Sequence, residues 1–265
     1  MNKQAYDERF PGGIRIGVSA CLLGKEVRFD SGHKRSRFIT DSLADYFVFS
    51  EFCPEMAIGM GTPRQPIRLT GAARQPDAVG VKTPELNVTQ PLRAYGKKVA
   101  GTIDELCGVI FKTDSPSCGM ARVKVYNNAG MPERSGTGLF AAEIMKANPL
   151  LPVEEEGRLN DADLRDNFIS RVYVYARWKA LLERGLSKSG LISFHARHKY
   201  LVMSHSNEKY HELGQMLSDF SRAPLDEIAA SYIETLMLTL RLPATRKRHT
   251  CLLYTSDAAD DQWRV

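Results

Sequence analysis

A chain of 265 residues, 43% hydrophobic and 25% charged, has ordinary globular composition, and its apolar content can fill one large core or two smaller ones. With 36 Lys+Arg against 31 Asp+Glu the net charge is a modest +5. No stretch reaches the ~18 consecutive apolar residues that a membrane span demands, and Met1-Gly13 lacks the apolar middle of a secretory signal, so a soluble, cytoplasmic protein is expected. Five cysteines are too few and too scattered for a disulfide scaffold, and each must be weighed as ligand, nucleophile or small buried hydrophobe.

In chain order, Ile14-Ala20 (IRIGVSA) follows the Pro11-Gly12-Gly13 turn and alternates β-branched residues over strand length. Tyr46-Phe52 (YFVFSEF) and Gly108-Lys112 (GVIFK) are further strand candidates, with helical spacing between them over Ser36-Tyr46 and Gln90-Leu106. After Gly136-Thr137-Gly138 comes a helix former, Leu139-Ala147, stopped by Asn148-Pro149. Alternating strands and helices predict an α/β fold, a layered N-terminal domain over residues 1–155 with a mostly parallel sheet.

Asn148-Asp163, with two prolines and the acidic run Glu154-Glu156, reads as a linker. From Leu164 the pattern is helical throughout, and residues 164–250 form an all-α domain. Residues 165–250 hold 14 Lys+Arg against 8 Asp+Glu, so the basic excess lies in the helical part. The last fifteen residues, CLLYTSDAADDQWRV, break the pattern just after Arg246-Lys247-Arg248-His249 and read as a non-native tail, which makes Cys251 uninformative and the helical domain truncated.

Cys21 and Cys53 directly follow predicted strands, and Cys118 lies a few residues beyond a third. Ligands bind at the carboxyl edge of an open α/β sheet, so three loops from that edge can bring these thiols together across the sequence. Cys107 opens a strand at the opposite edge and reads as a buried hydrophobe. Three converging thiolates suit a soft metal centre. Zinc with an open position is one option, although Cys-x-x-Cys pairs are absent; a 4Fe-4S cluster with three Cys ligands and one open iron is another.

Ser19-Ala20-Cys21-Leu22-Leu23-Gly24, Cys53-Pro54-Glu55, the run Gly61-Thr62-Pro63-Arg64-Gln65-Pro66-Ile67-Arg68-Leu69, and Ser115-Pro116-Ser117-Cys118-Gly119 together resemble the thiouracil desulfidase family, over about residues 13–150 and in the family's motif order. Leu164-Leu182 and Phe194-His205 are similar to the helical domain fused to that family in its longer members, which look like a desulfidase of 4-thiouridine in tRNA. The resemblance implies a 4Fe-4S cluster on Cys21, Cys53 and Cys118, with one iron open to the thiocarbonyl sulfur, and hydrolytic, non-redox removal of sulfur from thiolated uracil. It implies Glu55 as general base for the attacking water and Ser115 as the essential serine, with Ser117 the weaker candidate. Arg64 and Arg68 could meet a phosphate or a ring oxygen, and Asp30, Ser31 and Lys34 could line the same cleft. Gly136-Thr137-Gly138 before a helix is a weak phosphate signal.

In the helical domain Arg171, Arg177, Arg197, His198 and Lys199 lie among Tyr173, Tyr175, Trp178 and Tyr200, a mixture that suits RNA backbone and exposed bases, or equally a core with a solvated face. The histidines His195, His198, His205 and His211 lack carboxylate support for a metal site. The expected partner is a thiolated uracil base in tRNA, with no membrane and no protein partner implied. Two other readings stay open: a desulfidase of free 2-thiouracil or thiouridine nucleotides, and a non-catalytic Fe-S RNA-binding or sensor protein.

Overall fold

The computed structural model describes residues 12–127, 129–242 and 244. The predicted non-native tail, Cys251 and the basic run 246–249 lie outside the described residues. The chain divides into two compact units, Gly13–Asp161 and a helical one that begins at Ala162.

The first unit holds two four-stranded sheets. One contains β1 (Ile14–Ser19), β2 (Phe47–Phe52), β5 (Val109–Phe111) and β8 (Val153–Glu155) in the order β2-β1-β5-β8, and every pairing is parallel. The two central strands, β1 and β5, are parallel and covered on both faces, so they read as apolar runs: Ile14, Ile16, Val18, Val109, Ile110 and Phe111 are buried. The chain leaves β1 for β2 on one side and later returns to β5 on the other. The strand order therefore reverses at β1, where an open sheet places its crevice.

The second sheet, which the sequence reading did not foresee, contains β3 (Ile67–Thr70), β4 (Asp77–Gly80), β6 (Val123–Tyr126) and β7 (Pro132–Gly136) in the order β4-β3-β6-β7. Its strands run four or five residues and two pairings are antiparallel. Segments so short carry little periodicity, and here pairing and burial of Leu69, Ala78, Val123 and Val125 define them. Among the described residues this unit holds three α-helices: the single turn α1 (Pro54–Ala57), α2 (Thr89–Ala100) and α3 (Leu139–Ala147). The helix expected to reach Leu106 stops at Ala100, and Ser36-Tyr46 forms only a wide turn over Phe38–Ser42 and a tight one over Leu43–Asp45. Phe140 of α3 packs against Phe52, Tyr95 and Phe111, with centroids 5.5, 5.5 and 6.3 Å away.

The predicted linker needs correction. Val153–Glu155 is the edge strand β8, paired with β5, and Glu154 and Glu155 are buried. Each carboxylate of the acidic run has a donor: Arg158 Nε reaches Glu154 at 2.6 Å, the Met120 amide reaches Glu155 at 2.7 Å, and Lys112 and Thr113 hold Glu156. Three of these four partners lie over thirty residues away in sequence, so local composition misreports the segment as solvated.

The second unit contains α4 (Ala162–Glu183), α5 (Lys188–His205), α6 (Asn207–Met216) and α7 (Leu225–Thr239). Gly185, at φ +92°, supplies the left-handed residue just past the end of α4. Ser187 and Ser206 cap α5 and α6 by accepting the amides of Gly190 and Lys209. Trp178, Phe194 and Tyr232 form the aromatic centre of this core. No helix among the described residues is long and apolar enough to cross a membrane.

Candidate active site

Three loops leave the carboxyl edge of the parallel sheet. Cys21 sits in the tight turn Ala20–Leu23 that follows β1, Cys53 lies between β2 and α1, and Cys118 lies seven residues past the end of β5. These three cysteines come together at that edge, where all of them line one cavity of about 380 Å3. Glu55, Arg64, Ser115, Ser117, Lys34, Arg28 and Lys112 share its walls. Arg68 does not: its guanidinium lies 5.1 Å over the Tyr126 ring on the second sheet. Asp30 and Ser31 are likewise not among the lining residues. Cys107 is buried at the start of β5, as expected of a small hydrophobe.

The thiols feel one another. Burial pushes Cys21 up to about 11, and the Cys53 thiolate adds to the rise while Lys112 and Arg28 oppose it. Burial likewise raises Cys118 and Cys53, with Ser19 and Ser117 hydrogen bonds opposing the shift at Cys118 and the Met56 amide opposing it at Cys53. Burial is the main cause of each rise, and Cys53 adds to it at both Cys21 and Cys118, so these thiols would lose their protons most readily to a bound cation. No three His, Cys, Asp or Glu side chains among the described residues meet closely enough to hold a single ion. The all-sulfur donor set and the void between the thiols fit a soft, polynuclear group such as an iron-sulfur cluster.

Glu55 is set by its neighbours. Cys53 and Pro54 open α1, which puts Glu55 in the first turn, facing the cavity. Ser117 Oγ donates to Glu55 Oε1 at 2.8 Å, and Arg64 donates to Oε2 through Nε at 3.0 Å and again through its terminal nitrogen. The other Arg64 donors reach the carbonyls of Gly61 (2.6 Å) and Val27 (2.9 Å). With a side chain only 6% exposed, Arg64 is a strut for Glu55 rather than a free phosphate ligand. Ser115 Oγ meets Ser117 Oγ at 2.9 Å and accepts the Cys118 amide at 3.1 Å. The serine in direct contact with Glu55 is therefore Ser117, while Ser115 organises the loop that carries Cys118.

Sequence reasoning missed several supports. Lys112, at the end of β5, pairs with Glu156 beside Cys21, and Ser19 Oγ accepts the Lys112 amide at 3.1 Å. The Gly136-Thr137-Gly138 motif also has a different role from the one its pattern suggested. The first amides of α3 are spent on the cysteine loop: Leu139 donates to the Pro116 carbonyl, and Phe140 and Ala141 donate to that of Ser117. A Cβ at Gly138 would lie 2.6 Å from the Ser117 carbonyl, so glycine permits the close approach that seats this loop.

In the helical unit, Trp178 and His198 are core residues and Arg171 is also buried, which removes them from any exposed RNA face. Arg197 and Tyr200 are exposed, and Lys199 lies 4.9 Å over the Tyr200 ring.

A family model described as 2-thiouracil desulfurase matches residues 16–156, and one described as a protein of unknown function (DUF1722) matches residues 199–256. The chain is 32% identical over 158 residues to the uncharacterized protein YbbK of Bacillus subtilis (strain 168), covering 55% of this chain and 98% of YbbK. It is 28% identical over 89 residues to the uncharacterized protein YbgA of Escherichia coli (strain K12), covering 33% of this chain and 53% of YbgA. Among solved structures, the 4Fe-4S-dependent thiouracil desulfidase TudS is 30% identical, with 56% of this chain and 93% of that one covered and a TM-score of 0.44.

Proposed function

Because the chain belongs to the 2-thiouracil desulfurase family, we propose that its first unit removes sulfur from thiolated uracil by hydrolysis at an iron-sulfur centre. The observation that carries the reading is the meeting of Cys21, Cys53 and Cys118 with the Glu55-Ser117 pair on the wall of one cavity. The three thiolates would hold a 4Fe-4S cluster with one open iron. When bound, that group supplies a soft Lewis acid that draws electron density from a thiocarbonyl.

The chain's own residues supply the rest. Glu55 takes a proton from water as the oxygen attacks the ring carbon; the C-S bond then breaks, the ring keeps oxygen, and sulfur leaves as hydrogen sulfide with the returned proton. Water plus thiocarbonyl gives carbonyl plus hydrogen sulfide, so no net electron transfer is needed. Arg64 and Ser117 fix the carboxylate so that one orientation faces the void. Ser115 aligns Ser117 and the Cys118 loop from behind.

The finer reading places the substrate base in tRNA, as 4-thiouridine, with the helical unit gripping the backbone. The basic excess of residues 165–250 supports it, and the enzyme would then work in the cytoplasm. A stacked base must leave its neighbours to reach a cavity of this kind, at a cost of a few kcal/mol that phosphate contacts can offset.

The test is anaerobic purification with iron and sulfide analysis, followed by sulfide-release assays on 2-thiouracil, 4-thiouridine and thiolated tRNA. A four-iron stoichiometry lost in any Cys21, Cys53 or Cys118 to Ala variant is expected. Glu55→Ala should keep the cluster and RNA binding but lose turnover. Full turnover by Glu55→Ala would sink the mechanism, and equal rates on free base and tRNA would sink the finer substrate reading.

A further inference from the structure

The helical unit carries a second cavity, of about 190 Å3, between the end of α4 and the start of α5. Arg177, Leu181 and Arg184 line it from the first helix and the residue just past it; Gly190, Phe194 and Arg197 line it from the second. These positions recur at three, four or seven residues, so each helix turns one stripe towards the cleft. We propose that this cleft is a seat for a single phosphate group.

Size selects a small ligand, because pockets for drug-sized molecules run roughly 300–1,000 Å3. Charge selects an anion. Three arginines line the space, and the planar fork of a guanidinium matches the oxygens of a phosphate. The ion pairs described within this unit join Arg165 to Asp166, Lys209 to Glu212 and Arg222 to Asp219, and none uses Arg184 or Arg197.

The wall is organised by a buried imidazole. His198 Nδ1 lies 2.8 Å from the Phe194 carbonyl, which can only accept, so the proton sits on Nδ1 and Nε2 is left to accept from Arg177 at 3.4 Å. Burial, with Arg177 and Arg197 alongside, holds His198 far below its ordinary value, at about 3. A neutral side chain thus steadies a guanidinium of the cleft without adding negative charge.

Gly190 in the first turn of α5 allows Leu181 and Ser187 to pack closely at the cleft's edge. A Cβ there would meet Leu181 Cδ1 and Ser187 Oγ at 2.9 Å. The positive end of an 18-residue helix lies at the same spot. Phosphate binding in this cleft requires neither the cluster nor turnover.

The experiment uses the full chain. Inorganic phosphate is titrated calorimetrically at low ionic strength into wild type, R184A/R197A and the control R222A, and each variant's fold is checked by circular dichroism. Saturable binding of one phosphate is expected, weakened at least tenfold in R184A/R197A and changed less than twofold in R222A. S193E, which sets a carboxylate at the cavity lining, should abolish it as well. A second arm adds unthiolated oligouridylate. If phosphate displaces the oligonucleotide, the seat serves an RNA backbone; if phosphate binds without displacing it, the seat serves a free phosphomonoester, and both outcomes keep the proposal. Absence of saturable binding, or an equal loss in R222A, overturns it, while a failed desulfurisation assay leaves it standing.

Discussion

Ser117 Oγ donates to Glu55 Oε1 at 2.8 Å across 62 residues of chain, joining the loop after β5 to the first turn of α1. This bond links the carboxylate to the segment that presents Cys118. It also separates two serines that sequence alone leaves side by side.

Ser117→Ala deletes a hydrogen bond to a charged group, a kind worth about 1.5–3 kcal/mol. The expected result is a fall in kcat of roughly 10- to 150-fold, with KM and cluster absorption little changed. Ser115→Ala removes the acceptor of the Cys118 amide, and its expected effect is lower cluster content. Steady-state kinetics beside iron analysis distinguishes them; the reverse pattern would restore Ser115 as the serine that acts on chemistry.

Gly138→Ala places a methyl 2.6 Å from the Ser117 carbonyl and 2.8 Å from the Cys118 amide nitrogen. Both are backbone atoms, so the loop must shift as a whole. A loss of about 1–3 kcal/mol in denaturant unfolding is expected, together with reduced cluster retention. Unchanged iron content at unchanged stability would show that the α3 contact does not seat Cys118.

Burial keeps the three cavity thiols protonated in cluster-free protein, with Cys21 pushed up to about 11. Alkylation by iodoacetamide at pH 8 should therefore be slow compared with a free cysteine and rise with pH as thiolate forms. The linkage has a definite sign. A thiol whose value is raised on folding adds stability below its ordinary range and loses it as pH climbs towards 11, so cluster-free protein should melt lower in alkali. Metal loading expels the same protons and should strengthen with pH. Fast alkylation at pH 8 would contradict the burial argument.

His198 gives the opposite dependence in the helical unit. Its value falls on folding to about 3, so its contribution is present above the ordinary histidine range near 6.5 and is lost as pH drops from there towards 3. Urea unfolding should show a stability slope of up to about 1.4 kcal/mol per pH unit in that window, absent in His198→Gln. Equal slopes in the two proteins would place the acid sensitivity elsewhere.

The sequence by itself determined the parallel sheet, the helical second unit and the meeting of Cys21, Cys53 and Cys118 at one sheet edge. Apolar strand runs, helical spacing and the rule that loops at a sheet's carboxyl edge share a site are all local signals. Cys21, Cys53 and Glu55 could be read because each lies within three residues of a recognisable strand end. The second sheet, the burial of Glu154 and Glu155, the Arg64 strut and the contact of Ser117 rather than Ser115 with Glu55 were decided only by tertiary structure. Each depends on a partner far along the chain: Val125 beside Leu69, Met120 against Glu155, and Glu55 between Arg64 and Ser117. A carboxylate or a guanidinium looks solvated in sequence because its charge favours water. Whether it is instead buried is decided by a donor or acceptor that folding alone brings within 3 Å.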